Sequence, residues 1–207
     1  MEMIWSRAPE PIALLILAHG AGAAMDSDFM NTMAGLLCDQ GITVVRFEFP
    51  YMQARRETGK KRPPDRQPKL LECWSGVLEE VRGQTDLPVY IGGKSMGGRM
   101  ATLLVSEGEQ VPGVVCLGYP FHAAGKKDKP RTEHLKHMDT PVLVIQGDRD
   151  AMGGRETVSG YELSGQVRIE WLEDGNHDLK PRKVSGYSHQ RHLERAAQRV
   201  MAFMADK

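Results

Sequence analysis

The sequence predicts an α/β fold in which a mostly parallel sheet of about six strands lies between two helical layers, a three-layer αβα sandwich. Short runs rich in Val, Ile and Leu alternate with longer segments whose apolar residues recur every three or four positions. Most of the short runs are apolar throughout, as strands covered on both faces are. The length of 207 residues suits one domain with a sizeable core, so we expect a single domain over residues 1–207.

The first part of the chain predicts two strands and one helix. The runs IALLILA at residues 12–18 and ITVVRFE at residues 42–48 have the composition of buried strands. Between them, residues 27–39 have apolar side chains at helical spacing. Residues 53–69 form the one stretch of low hydrophobicity, and we expect a loop there because strands of the same sheet are predicted on either side of it.

The middle of the chain continues the alternation. Residues 68–82 predict a helix because their apolar side chains form one stripe: Leu70, Trp74, Val77, Leu78 and Val81. The run PVYIG at residues 88–92 predicts a strand, and residues 96–107 predict the helix that follows it at once.

The last part of the chain adds three strands and two helices. The strands are expected at residues 113–118, 141–146 and 167–172. Helices are expected at residues 155–164 and 189–205, the second on the strength of another apolar stripe: Leu193, Ala196, Ala197, Val200 and Met204.

Charge and cysteine content narrow the functional classes. Lys plus Arg number 27 and Asp plus Glu also number 27, so no overall field attracts nucleic acid or an anionic membrane, and we expect neither as a partner. The cysteines lack CxxC spacing, which favours a reducing compartment: Cys38, Cys73 and Cys116. No apolar segment has the length of a membrane span, and the N-terminus lacks the features of a secretory signal. We therefore expect a cytoplasmic protein.

A serine between glycines stands at one predicted strand-to-helix junction. The segment GKSMG at residues 93–97 matches G-x-S-x-G, the nucleophile elbow that holds a serine hydroxyl above the carboxyl end of a sheet. A phosphate cradle is the alternative, but the first glycine of a P-loop and the G-x-G-x-x-G pattern are both absent. We therefore predict that Ser95 is a nucleophile, and we expect Lys94 to point away from the pocket.

A serine nucleophile needs a base and an acid that orients the base. The segment GDRD follows the strand at 141–146, and EDGNHDL follows the strand at 167–172. The order Ser95, then Asp148 or Asp150, then His177 is the chain order of the triad in α/β-hydrolases. We favour Asp150 as the acid, because Asp148 lies nearer the strand end and is equally suited to holding the turn.

Two backbone N–H groups are expected to stabilise the developing oxyanion. One belongs to Met96, directly after the nucleophile, and the other lies in the glycine-rich loop HGAG after the first strand. We assign this second donor to Ala21, with Gly22 as the alternative. No His and carboxylate cluster has metal-ligand spacing, so we expect no metal and no cofactor.

The substrate pocket is expected to be open. A cap domain does not fit in the connection over residues 119–140. We predict substrate-binding residues on the loops at the carboxyl edge of the sheet: Gly22, Tyr51, Tyr119, Phe121 and His122. The basic stretch at 53–69 either attracts an acidic substrate or partner or is a solvated loop, and the second interpretation is favoured because charge runs on loops are usually solvated.

Seven segments together resemble a family of predicted α/β-hydrolases distantly related to dienelactone hydrolases. They are LILAHGAGAAMDSDFM, VRFEFPYM, KKRPPDR, IGGKSMGGRMA, LGYPFH, VIQGDRDAMG and DGNHDLKPRK, within residues 12 to 204. The resemblance implies a compact α/β-hydrolase core and a triad of Ser95, Asp150 and His177. It implies little about substrate, because the family's members are mostly known as predicted hydrolases. Its eukaryotic relatives include testis-expressed proteins and components of chromatin-associated complexes.

Two function classes follow. The first is a serine hydrolase that acts on small-molecule carboxylic esters or related acyl compounds. The second is a catalytically silent binding module with the same fold, since fold alone does not decide function. Unpaired edge strands leave either a monomer or a homodimer open.

Overall fold

The sheet has seven strands, and only the strand at one edge is antiparallel to its neighbour. The computed structural model describes residues 2–206. The strand order is β1-β3-β2-β4-β5-β6-β7. The strands are β1 Met3–Ser6, β2 Ala13–Ala18, β3 Ile42–Phe47, β4 Val89–Lys94, β5 Val114–Leu117, β6 Val142–Gly147 and β7 Val167–Leu172.

Helices cover both faces of the sheet, so the three-layer arrangement predicted from the sequence is confirmed. The helices are α1 Asp28–Asp39, α2 Pro50–Thr58, α3 Gln67–Arg82, α4 Met96–Ser106, α5 Arg155–Val158 and α6 His189–Ala205. Helices α1 and α6 pack together on one face, and α3 and α4 pack together on the other.

Strand β2 shows why the central strands are apolar throughout. All six of its residues are buried. Leu14 and Ile16 belong to the core cluster that contains Trp74 of α3, whereas Leu15 and Leu17 belong to the cluster on the opposite face with α1 and α6. Successive side chains of a strand point to opposite faces, so a strand covered on both sides needs an apolar residue at every position.

Strand β1 is the strand that the sequence did not predict, which makes the sheet seven-stranded rather than six-stranded. It has four residues, all half-buried, and pairs antiparallel with β3 from Met3↔Phe47 to Ser6↔Val44. Its apolar run, residues 3–5, is only three residues long, which is too short to predict a strand from the sequence.

The loop predicted at residues 53–69 is partly helical, which corrects that prediction. Helix α2 extends to Thr58 and α3 begins at Gln67, so only residues 59–66 are irregular. Pro50 occupies the first turn of α2, and Gly59 ends the helix with a left-handed φ of 66°. Arg56 holds the helix to the sheet by hydrogen bonds to Glu48, which no local pattern reveals.

The two connections at the far end of the sheet are short. Helix α5 ends at Val158 rather than at residue 164, because Ser159 and Gly160 follow and both have low helix propensity. Between β5 and β6 the chain forms one 3-10 turn, Glu133–His137, and no cap domain is inserted.

Over residues 2–206 no helix has the length and apolar character needed to cross a membrane.

The parallel strands bring four functional loops to one edge of the sheet. Because β2, β4, β6 and β7 run in the same direction, the loops that follow them all emerge at their carboxyl ends. These loops carry the glycine-rich HGAG segment, the GKSMG elbow, the GDRD segment and the EDGNHDL segment.

Candidate active site

Ser95 occupies a sharp turn between β4 and α4. Its backbone has φ 51° and ψ −116°, a conformation that residues other than glycine rarely adopt. Its N–H donates to the carbonyl of Leu117 at 3.0 Å, which ties the turn to the neighbouring strand β5. A side chain in such a turn projects from the sheet edge rather than into the helix, as in a nucleophile elbow.

The glycines around Ser95 are required by close backbone packing. A Cβ atom at Gly93 would lie 2.6 Å from the carbonyl oxygen of Ala18. One at Gly97 would lie 2.6 Å from the carbonyl oxygens of both Ala18 and His19. Real Cβ atoms do not approach backbone oxygens so closely, so the elbow can contact β2 only where side chains are missing.

His177 connects Ser95 to Asp150 through its two ring nitrogens. The Nε2 atom lies 2.8 Å from Ser95 Oγ, and the Nδ1 atom lies 2.7 Å from Asp150 Oδ2. The Asp150 side chain is fully buried, whereas 26 % of the His177 side chain is exposed. Because a carboxylate only accepts hydrogen bonds, Nδ1 carries the proton, and Nε2 is free to accept from the serine hydroxyl.

Buried donors fix the Asp150 carboxylate. Gln146 Nε2 donates to Oδ2 at 2.8 Å, and the N–H of Met152 donates to Oδ1 at 2.7 Å. Gln146 is itself held, because its Oε1 accepts from the N–H of Tyr119 at 2.7 Å. Asp148, the alternative acid, instead makes backbone hydrogen bonds: its N–H donates to Leu172 and its carbonyl accepts from the N–H of Arg155.

The His177 loop is held from both sides. The Asn176 Oδ1 accepts from the N–H groups of Asp178 at 2.9 Å and Lys180 at 3.0 Å, which closes a tight turn around the histidine. The Lys94 ammonium donates to the carbonyl of His177 at 2.8 Å and lies 3.3 Å from the carboxylate of Asp178. Contrary to our expectation, Lys94 is therefore buried beside the site, and this burial lowers the pKa of its ammonium.

The loop after β2 presents a second row of backbone groups to the nucleophile. A Cβ atom at Gly20 would lie 3.6 Å from Ser95 Cβ, so this loop passes directly against the elbow. Within residues 2–206 no acceptor pairs with the N–H groups of Ala21 and Met96. The Met96 N–H is free because it is in the first turn of α4, where helix donors lack intrahelical partners.

His19 determines how the Gly20–Ala21 peptide is oriented. Its Nε2 accepts from the N–H of Phe49 at 3.1 Å, so its Nδ1 carries the proton and donates to the carbonyl of Gly20 at 2.6 Å. In a trans peptide the N–H points opposite to the C=O, so fixing this carbonyl also fixes the direction of the Ala21 N–H. Burial lowers the pKa of His19, which keeps the ring neutral.

Tyr51 supports this loop rather than lining the pocket. Its side chain is buried, and its hydroxyl donates to the carbonyl of Ala21 at 3.0 Å. Burial raises the pKa of this hydroxyl well above its ordinary value, so it stays a donor. Our assignment of Tyr51 as a substrate-binding residue is corrected accordingly, because the ring is turned into the core.

Two cavities flank Ser95. One of about 440 Å³ is lined by Ser95, Arg99, Arg131 and other residues from α3 and the loop after β5. The other, of about 310 Å³, is lined by Ser95, His177, Phe29 and the glycine-rich loop. Ser95, Ala21 and Met152 line both, so the hydroxyl stands where the two cavities meet.

Of the five predicted substrate-binding residues, Gly22 alone lines a cavity at Ser95, the smaller of the two. Tyr119, Phe121 and His122 are almost fully buried, which corrects their assignment to the substrate. Tyr119 instead donates its hydroxyl to the carbonyl of Arg131 at 3.0 Å. The pocket wall in this region is Pro120, because the strand end directs the aromatic neighbours on both sides of it inward.

Three residues that line the larger cavity were not predicted from the sequence: Arg99, Arg131 and Met152. Arg99 was detectable in principle, since it follows Ser95 by four residues on a predicted helix and such residues share a face. Arg131 and Met152 lie in irregular segments, where no periodicity tells which way a side chain points. Over residues 2–206 no group of three or more His, Cys, Asp or Glu side chains is arranged to hold a metal ion.

Comparison with known proteins identifies relatives over almost the whole chain. The sequence model of a family described as "Alpha/beta hydrolase domain" matches residues 11–205. Among solved structures, an alpha-beta serine hydrolase homologue from Coxiella burnetii is 18 % identical, with a TM-score of 0.71 over 97 % of this chain and 89 % of that one.

Two further structures share the fold. Est1E from Butyrivibrio proteoclasticus, solved with ferulic acid bound, is 14 % identical, with a TM-score of 0.74 over 100 % of this chain and 96 % of that one. A dienelactone hydrolase from Anabaena variabilis is 19 % identical, with a TM-score of 0.70 over 99 % of this chain and 90 % of that one. At such identities the likeness shows the fold alone. The α/β-hydrolase family expected from the sequence is confirmed by the family model, which matches most of the chain.

Proposed function

Because the chain belongs to the alpha/beta hydrolase domain family, we propose that it is a serine hydrolase of carboxylic esters or related small-molecule acyl compounds. The observation that carries the proposal is the hydrogen-bonded series from Ser95 Oγ through His177 to Asp150, with distances of 2.8 Å and 2.7 Å. A serine whose hydroxyl contacts an oriented imidazole is the arrangement that activates it as a nucleophile.

In the proposed mechanism, Ser95 Oγ attacks the acyl carbonyl while its proton passes to His177 Nε2. The positive charge that develops on the imidazole is stabilised by the buried Asp150 carboxylate. The N–H groups of Ala21 and Met96 donate to the carbonyl oxygen as it becomes negative. His177 then returns the proton to the leaving alcohol, and the acyl group stays on Ser95.

Water completes the cycle by the same route. His177 Nε2 takes a proton from a water molecule, whose oxygen attacks the acyl-serine carbonyl. Collapse of the second tetrahedral intermediate returns the proton to Ser95 Oγ and releases the carboxylic acid. No metal or cofactor takes part in any of these steps.

Hydrolysis of p-nitrophenyl butyrate tests the proposal. We expect turnover by the wild-type protein and a loss of at least roughly 10⁴-fold in Ser95→Ala, as for loss of a serine nucleophile elsewhere. Ser106→Ala is the matched control, because this exposed serine at the end of α4 donates its hydroxyl to the carbonyl of Leu103 within the same helix. Absence of turnover on esters of every chain length would favour the silent binding module instead.

A further inference from the structure

The larger cavity at Ser95 carries two arginines with no anionic partner. Arg99 lies one turn into α4, where its N–H donates to the carbonyl of Ser95 at 3.0 Å. Its Nε atom is buried and makes no hydrogen bond within residues 2–206. Arg131 lies on the loop after β5, and its guanidinium likewise has no hydrogen-bond or ion-pair partner in the described chain. An unpartnered buried donor is costly to keep, so it suggests a missing acceptor.

Among residues 2–206, no unpaired carboxylate lines the cavity to neutralise the positive charge of Arg99 and Arg131. The only carboxylate that lines the cavity is Asp65. Its Oδ1 accepts from Lys69 Nζ at 3.0 Å and its Oδ2 accepts from the N–H of Tyr51 at 2.9 Å, so it is already paired. Burial lowers the pKa of Arg99, and the like charge of Arg131 acts in the same direction. Two guanidinium groups that line the same cavity form a site for an anion.

Arg131 is held in place by buried groups rather than left to a mobile loop. Its N–H donates to the carbonyl of Phe121 at 2.6 Å, and its carbonyl accepts from the Tyr119 hydroxyl at 3.0 Å. Its backbone is thus anchored to two buried core residues, through the Phe121 carbonyl and the Tyr119 hydroxyl, which reduces the entropy lost when a ligand binds.

We propose that the substrate carries a carboxylate or phosphate group, which Arg99 and Arg131 bind while Ser95 attacks the acyl carbonyl. The assignment of the substrate class rests on the proposed hydrolase function. The anionic part occupies the 440 Å³ cavity. The other part of the substrate occupies the 310 Å³ cavity, whose wall is largely apolar and includes Phe29, Met30 and Met152.

A matched pair of esters tests this inference. Mono-p-nitrophenyl adipate and p-nitrophenyl hexanoate have acyl chains of equal length, and only the first ends in a carboxylate. We expect the wild-type protein to prefer the adipate ester by roughly 10- to 100-fold in kcat/KM, mostly through KM, as charge-assisted hydrogen bonds of this kind provide. The preference should weaken as salt is added.

Substitution of the arginines should abolish the preference. In Arg99→Gln and in Arg131→Gln we expect the ratio of the two kcat/KM values to fall toward one. The ratio compares two substrates on one protein, so it does not depend on how much active enzyme each preparation contains. Arg191→Gln, an exposed position on α6, removes the same charge and should keep the wild-type ratio. A wild-type ratio near one, or a ratio that both cavity variants retain, would overturn the inference.

A binding experiment separates this inference from the proposed function. In Ser95→Ala protein, calorimetry with adipate and with phenyl phosphate should detect binding that Arg99→Gln removes, and the tighter ligand identifies the preferred group. Binding without turnover of any ester by the wild type would keep the anion site and overturn the hydrolase. Turnover of both esters alike, with binding of neither anion, would keep the hydrolase and overturn the anion site.

Discussion

At the scale of residues, each polar group around Ser95 is fixed by the next. Gln146 holds Asp150, Asp150 holds the His177 ring, and the ring contacts the serine hydroxyl. The protonation and orientation of the His177 imidazole thus depend on the Asp150 carboxylate, which does not touch the substrate. Replacing this carboxylate should therefore affect catalysis through the imidazole.

Asp150→Asn should lower kcat by roughly 10⁴-fold while the fold is retained. The amide donates where the carboxylate accepted, so the His177 ring takes the wrong tautomer and Nε2 no longer accepts from Ser95. Steady-state ester hydrolysis measures the change. Asp148→Asn is the control, since its backbone makes the hydrogen bonds. A large loss in the control with little change in Asp150→Asn would reverse the assignment.

Lys94→Met should lower kcat by roughly 10- to 100-fold and leave KM nearly unchanged. The ammonium holds the His177 carbonyl at 2.8 Å, and a small displacement of the catalytic ring has effects of this size. Lys94 is thus a positioning residue. Lys180→Met is the control: Lys180 is exposed and lies in the loop that carries His177, and its substitution should keep the wild-type kcat. A rise in KM without a fall in kcat would show that Lys94 acts on substrate binding instead.

The serine, the acid and the base of the hydrogen-bonded series were selected from the sequence, whereas Gln146 and the two arginines of the proposed anion site were not. The elbow motif and the chain order of serine, acid and base single out Ser95, Asp150 and His177 before any contact is known. Tyr119 and Phe121 illustrate the limit. They follow a strand end, as pocket residues do, but the direction of each side chain depends on backbone geometry that sequence periodicity does not describe.

At the scale of elements, the contact between β2 and the elbow decides where Ser95 stands. Gly97→Ala would place a Cβ atom 2.6 Å from two carbonyl oxygens of β2 and its loop. We expect the free energy of unfolding to fall by about 1–3 kcal/mol and ester hydrolysis to fall with it. Urea unfolding and the ester assay measure the two effects.

Gly76→Ala is the control for that substitution. Gly76 lies in the middle of α3, and an added Cβ atom meets nothing within 4 Å. Here the free energy of unfolding should rise by about 0.5–1 kcal/mol, because alanine favours the helix more than glycine does. Equal effects of the two substitutions would contradict the close packing of the elbow.

Elements with a continuous apolar pattern were predictable, and elements that depend on tertiary contacts were not. The six predicted strands agree with the structure to within two residues at either end. Strand β1 was missed because its pairing with β3 holds it in place. Helix α2 was missed because the contact between Arg56 and Glu48 holds it in place. Neither contact leaves a local signal in the sequence.

At the scale of the whole molecule, the buried His19 and the half-buried His134 should make the fold sensitive to mild acid. Burial lowers the pKa of His134 to about 4 and also lowers that of His19. Below pH about 6.5 the unfolded chain therefore binds more protons than the folded one. The free energy of unfolding should have its highest value above that pH and should decrease as the pH falls toward about 4.

Urea unfolding between pH 7 and pH 4 checks this expectation. His134→Gln should flatten the decrease, whereas His137→Gln, at an exposed position, should leave it as in the wild type. An unchanged slope in His134→Gln would mean that the ring is not kept neutral in the folded state.

We also propose that residues 1–207 fold as one domain, for which circular dichroism and tryptophan fluorescence should report a single shared transition.

The central claim is that His177 and Asp150 make Ser95 the reactive serine of this molecule. Peptide mass spectrometry after treatment with a fluorophosphonate tests it most directly. We predict one adduct, located on the peptide that contains Ser95, and a much slower reaction in His177→Ala. An adduct on another serine, or equal labelling of the two proteins, would contradict the account.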